Sequence, residues 1–176
     1  LHAINPVIQN VMVPLMPTKQ LRDNILIHFR CSDSPYNRHW GYEFLTYEFY
    51  TRALNVASVK RGDTILVLAC DVWDKAGGDM CSQYTRLFVE MLQKQGYAVT
   101  KSCGTVQEDF GRMVHAPVLI SGGIGSSLSY MAALASNETA ILPTTISAPG
   151  QRPSIKNHNY KTRPGLTFLH DDRLPH

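Results

Sequence analysis

Short apolar runs alternate along this chain with longer stretches in which apolar positions recur every three or four residues. NILIHFR at 24–30, TILVLAC at 64–70, PVLIS at 117–121 and TAIL at 139–142 are compact apolar runs. Bounded by polar or turn residues, they predict buried strands, with a shorter strand expected over 97–100 and none after 142. Between them lie helical patterns. Residues 42–58 carry Phe44, Tyr47, Leu54 and Ala57 at helical spacing, and 81–95 carry Tyr84, Phe88, Met91 and Leu92 on one face until Gly96. Residues 105–115 open with Thr105 and Glu108 at capping-box spacing, and 126–136 offer Leu128, Met131, Ala132 and Ala135 for packing. Strand and helix in alternation predict an α/β domain, a Rossmann-like parallel sheet with helices on both faces.

This pattern fills residues 24–146. Residues 1–23, with Pro6, Pro14 and Pro17, read as a linker or interdomain segment, and the proline-bearing 147–176 as a C-terminal extension. The 176 residues are 44% hydrophobic and 18% charged, a globular composition that argues against disorder. The net charge of +3 suits a small anionic ligand and is too slight and scattered for nucleic acid. No apolar run reaches the ~18 residues of a membrane span. The chain opens on Leu1, so it reads as a piece of a longer protein, with any targeting segment elsewhere. The cysteines, Cys31, Cys70, Cys81 and Cys103, form no C-x-x-C pair, so no zinc is expected, and their number leaves disulfide pairing open.

Ligands of such sheets bind at the carboxyl ends of the strands. The loops after Arg30, Cys70 and Ser121 should therefore share one face. Alternation along the first strand puts His28 and Arg30 on the same side, where the planar guanidinium fits a diphosphate. Asp33 could orient Arg30 or take a proton from an acceptor hydroxyl. A routine core-edge histidine and salt-bridged arginine explain the same residues about as well. The run from Ser121 through Gly122, Gly123, Ile124 and Gly125 to Ser126, Ser127 and Ser129 passes from strand through a glycine turn into a helix start. Free N–H groups and serine hydroxyls there favour an anion, although an ordinary turn with a serine cap would look alike. The run lacks the Walker lysine. Asp109 could pair with the donors of guanine or simply sit at a helix N-terminus. Asp71, with Asp74 and Asp79 nearby, could meet ribose or an acceptor.

HFRCSD at 28–33 resembles the H-x-R-R-x-D motif of the GT-B fucosyltransferases, the α1,2-, α1,6- and protein O-fucosyltransferases. SSLSYMAAL at 126–134 resembles the S-S-F-S-W-W-A-A segment of the α1,2 branch. Asp109-Phe110 and VLACDVWD stand in the corresponding order between them, so the resemblance spans roughly 24–142. Cys31 replaces the second arginine of the first motif, and Tyr130 and Met131 replace the tryptophans of the last. The resemblance implies the C-terminal, donor-binding half of a GT-B enzyme that transfers fucose from GDP-fucose with inversion. Arg30 would hold the β-phosphate and His28 help position it. Ser126, Ser127 and Ser129 would bind phosphate or sugar, Asp109 would read guanine, and Asp71 would lie near the nucleotide. Arg30 and Asp33 would be the catalytic pair, with no metal or other cofactor required. The acceptor would be a glycan or glycoprotein, met with a missing N-terminal half-domain, and a eukaryotic source would imply the Golgi or ER lumen. The alternatives are a catalytically silent nucleotide- or glycan-binding module and a glycosyltransferase for another nucleotide sugar.

Overall fold

The computed structural model describes residues 25–30, 45–70, 78–123, 126–144 and 165–170. Their strands are β1 (Ile25–His28), β2 (Thr64–Leu68), β3 (Ala98–Ser102), β4 (Val118–Ser121), β5 (Thr139–Thr144) and β6 (Leu166–His170). They form one sheet in the order β3-β2-β1-β4-β5-β6, parallel throughout. The helices are α1 (Tyr47–Val56), α2 (Gly78–Lys94), α3 (Val106–His115) and α4 (Ser127–Ala135). This is the expected Rossmann-like α/β arrangement.

Neighbouring residues of a strand face opposite ways, so each strand feeds two cores. Ile27 and Phe29 join Phe49, Tyr50 and Leu54 of α1 and Phe88 and Leu92 of α2 on one face. Leu26 joins Phe110 and Met113 of α3 and Ala132, Ala133 and Ala135 of α4 on the other. The helices thus cover both faces.

Local chemistry fixes the element ends. α1 begins at Tyr47 rather than 42, because Thr46 Oγ1 accepts the Phe49 N–H at 3.2 Å and caps it there. α3 carries the expected capping box between Thr105 and Glu108. Past α2, Gly96 takes the left-handed conformation (φ 93°) and Tyr97 N–H reaches Leu92 O at 3.2 Å. Ser58 does the same after α1 (φ 56°), with Val59 N–H on Leu54 O at 3.0 Å.

Two strand expectations are corrected. β5 continues to Thr144 through Pro143, which lies beyond the last β4 partner, Ile141, so its missing N–H interrupts no pairing with β4. A further strand, β6, follows within the stretch read as a tail. Its five residues lie at one end of the sheet order, and their short alternation is hidden among prolines. The chain runs from β1 towards β2 but from β4 towards β5. The connections diverge, and a crevice opens between the carboxyl ends of β1 and β4, the usual ligand position in such sheets.

Candidate functional site

A cleft of about 270 Å³ occupies this crevice, and His28, Arg30, Asp109, Ser126 and Ser127 all line it. Ser129 stands behind them, bonded to His28. Residues separated by a hundred positions in sequence are thereby gathered in one place. Asp33, Asp71, Asp74, Ile124 and Gly125 lie outside the described residues, as do segments 1–23 and 147–164.

His28 ends β1, registered between Leu68 of β2 and Ser121 of β4. Its Nδ1 lies 2.6 Å from Ser129 Oγ, which is hydrogen-bonded in turn to Ser126 Oγ at 2.8 Å. Ser126 and Ser129 are both buried. Burial first, and the Arg30 charge second, lower the His28 pKa to about 4, so the ring is neutral near pH 7. It therefore brings no positive charge to a phosphate.

The turn after β4 is held at close quarters. Gly122 N–H donates to His28 O at 2.6 Å, and the buried Tyr50 hydroxyl donates to Gly122 O at 3.1 Å. A Cβ on Gly122 would lie 2.5 Å from His28 O and 2.6 Å from Tyr50 Oη, so only glycine fits. A Cβ on Gly123 would come within 3.0 Å of Arg30 Cβ, which puts the arginine stem directly beside this turn.

Ser126 is the N-cap of α4 yet makes no capping bond with its side chain. Its hydroxyl is engaged with Ser129 instead. The ordinary reading of this serine as a helix cap is therefore not the one adopted. The start of α4, with its N–H groups and positive dipole end, faces the cleft together with the serines and Arg30.

Asp109 is committed locally. Gly104 N–H reaches both carboxylate oxygens at 3.2 Å, and Arg112 Nη1 lies 3.2 Å from Oδ1 while also donating to Ser102 Oγ at 2.6 Å. Burial raises its pKa, opposed by the Gly104 bond and Arg112. The carboxylate thus fastens the turn after β3, and Oδ2 has more remaining acceptor capacity than Oδ1. Oδ2 sits 3.9 Å from Cys70 Sγ.

Sequence reasoning missed several parts of the site. Cys70 and Cys103 form a disulfide (Cα–Cα 5.0 Å) in the cleft wall, and Cys81 is disulfide-bonded as well. The pairing follows from the β2–β3 register, Leu68 opposite Ser102, which no spacing rule supplies. Tyr50 lies inside the first helical pattern with nothing in the sequence to mark it. A second cleft of about 220 Å³ lies across the start of α4, sharing Ser126 and Ser127 with the first and walled by Tyr130, Leu142, Pro143 and Phe168.

Among the described residues no His, Cys, Asp or Glu cluster could hold a metal ion, and no helix is long and apolar enough to cross a membrane. No protein-family model matches the chain, and neither a curated protein nor a solved structure matches it.

Proposed function

We propose that this domain binds a nucleoside-diphosphate sugar in the switch-point cleft and is the donor half of a fucosyltransferase-like glycosyltransferase using GDP-fucose. The observation that carries this reading is the convergence of Arg30, Ser126, Ser127 and the start of α4 on one cleft. Each is suited to a phosphate: a guanidinium fork, two hydroxyls and a helix N-terminus. The fucose donor and the inverting course rest on the sequence resemblance.

In such a transfer the bond from the sugar anomeric carbon to the diphosphate oxygen breaks, and the departing diphosphate gains negative charge. Arg30, beside the glycine turn, would stabilise that charge more in the transition state than in the ground state. An acceptor hydroxyl attacks from the opposite face and gives its proton to a base, the role expected of Asp33. The serines and α4 would orient the diphosphate, and no metal is needed for these roles. The acceptor and the second half of the active site would come from a further domain.

A second reading has its own support. Asp109 already binds Gly104 and Arg112, which leaves little of it for the paired donors of guanine. That favours a nucleotide sugar with another base. Calorimetric titration with GDP and UDP separates the two, on wild type and Arg30→Ala. Selective GDP binding, weakened at least ~1.5 kcal/mol in Arg30→Ala, supports the fucose-donor reading. Selective UDP binding favours the second, and binding of neither rejects both.

A further inference from the structure

Three side chains beneath the cleft are linked in series: His28 Nδ1 to Ser129 Oγ at 2.6 Å, and Ser129 Oγ to Ser126 Oγ at 2.8 Å. A hydroxyl has one proton, so such a chain can run in only one direction at a time. Run outward from the ring, His28 Nδ1–H donates to Ser129 and Ser129 donates to Ser126; run inward, Ser126 donates to Ser129 and Ser129 donates to a bare Nδ1. In the outward direction the imidazole carries its proton on Nδ1 and leaves Nε2 as a bare acceptor, and Ser126 Oγ accepts from Ser129 and keeps its own proton for another partner. The Ser126 oxygen accepts no helix N–H, so the chain does not compete with a cap on α4.

We infer that the chain runs outward and that His28 is a positioning residue. Through Ser129 it turns the Ser126 hydroxyl into a fixed donor aimed at the ligand's phosphate, while Nε2 offers an acceptor to a ligand hydroxyl. This deepens the nucleotide-sugar reading above and rests on it for the identity of the ligand. It also replaces the expected direct contact between His28 and phosphate, since a bare Nε2 facing an anion would repel it. Three further observations agree. The middle member, Ser129, is completely buried, so water does not compete for its bonds. The ring is neutral, as a single Nδ1 proton requires. Both ends of the chain, His28 and Ser126, line the same cleft. The two ends therefore sort a ligand by chemistry, anion towards α4 and hydroxyl towards β1.

The first test needs neither ligand nor variant. Long-range proton–nitrogen NMR on the full chain at pH 7 should find His28 protonated at Nδ1 and bare at Nε2. Protonation at Nε2 overturns the inference. The second test titrates inorganic pyrophosphate into wild type, Ser126→Ala, His28→Gln and the double variant. Each single change should weaken binding about 5- to 10-fold, the effect of one hydrogen bond. The double variant should be no weaker than the worse single one, because both changes remove the same donor. A side chain that merely fills space would give multiplying losses, and that result also rejects the inference. An Nδ1–H ring in a protein that binds neither pyrophosphate nor GDP would support the hydrogen-bond chain while sinking the nucleotide reading.

Discussion

On one face of the sheet, Phe29 stacks on Phe88 and Tyr84 with centroids 5.3 and 5.2 Å apart, and Tyr50 closes on Phe88 at 4.5 Å. On the other, α4 brings Ala132, Ala133 and Ala135 to the strands. Large rings stabilise the first face by buried area and favourable ring geometry. Small side chains on the second let the helix approach closely enough for short serine side chains to meet a histidine at the end of β1. The aromatic face carries stability and the alanine face carries the site. The two join where the Tyr50 hydroxyl crosses to hold Gly122 and where Phe29 reaches the wall of the cleft.

The largest expected effect lies on the aromatic face. Phe88→Ala should destabilise the fold by about 3–5 kcal/mol in denaturant unfolding, while the protein that remains folded keeps its GDP affinity. An equal loss of both would show that the faces are not separable.

Next comes acid. The folded pKa of His28, about 4, lies below its ordinary 6.5, so on acidification the unfolded chain takes up this proton first. Stability from the neutral ring is whole above pH 6.5 and is lost as pH falls towards 4, by on the order of 2–3 kcal/mol. His28→Gln should flatten urea-derived stability between pH 7 and 4.5 relative to wild type. Asp109, whose pKa is raised, contributes with the opposite sign, but it is common to both proteins and drops out of the difference. Parallel curves for the two proteins would reject a buried neutral ring.

On the alanine face, Ala132→Leu should cost about 1–3 kcal/mol by overpacking, less than Phe88→Ala, yet it should weaken GDP binding by lifting α4 from the sheet and parting Ser129 from His28. Unchanged affinity would mean that the close approach of α4 is not what builds the site. The smallest effect is remote from both cores. Ser58→Gly should raise stability by about 0.5 kcal/mol, since Ser58 holds a left-handed conformation that glycine adopts freely. Thermal melting with no gain would count against strain at that turn.

What can be read from the sequence is what neighbours in the chain decide. The Thr105–Glu108 box, the Gly96 stop and the shared side of His28 and Arg30 depend on local spacing, and each is present. The Asp109–Arg112 ion pair, one helical turn apart, is open to the same logic and competes with the ligand role expected of Asp109. The remainder needs strand order. Ser129 is one more phosphate serine until α4, packed on β4 and α3, brings it to His28 at the end of β1. Tyr50 is helix filler until β4 ends beside it, and Cys70 has no evident partner until β3 lies next to β2. Contacts made across the sheet leave little trace in periodicity.

The Cys70–Cys103 cross-link has a practical consequence. It encloses α2 and ties the ends of two neighbouring strands across a separation of 33 residues. Closing a ring of that size removes unfolded-chain freedom equivalent to about 3–4 kcal/mol. It also anchors the residue just before Gly104, whose amide grips Asp109. Material prepared or assayed in thiol reductant would have two loose thiols in the cleft wall and a slackened Gly104 turn. A missing ligand signal from such a sample would report on the oxidation state of that wall as much as on the specificity of the cleft.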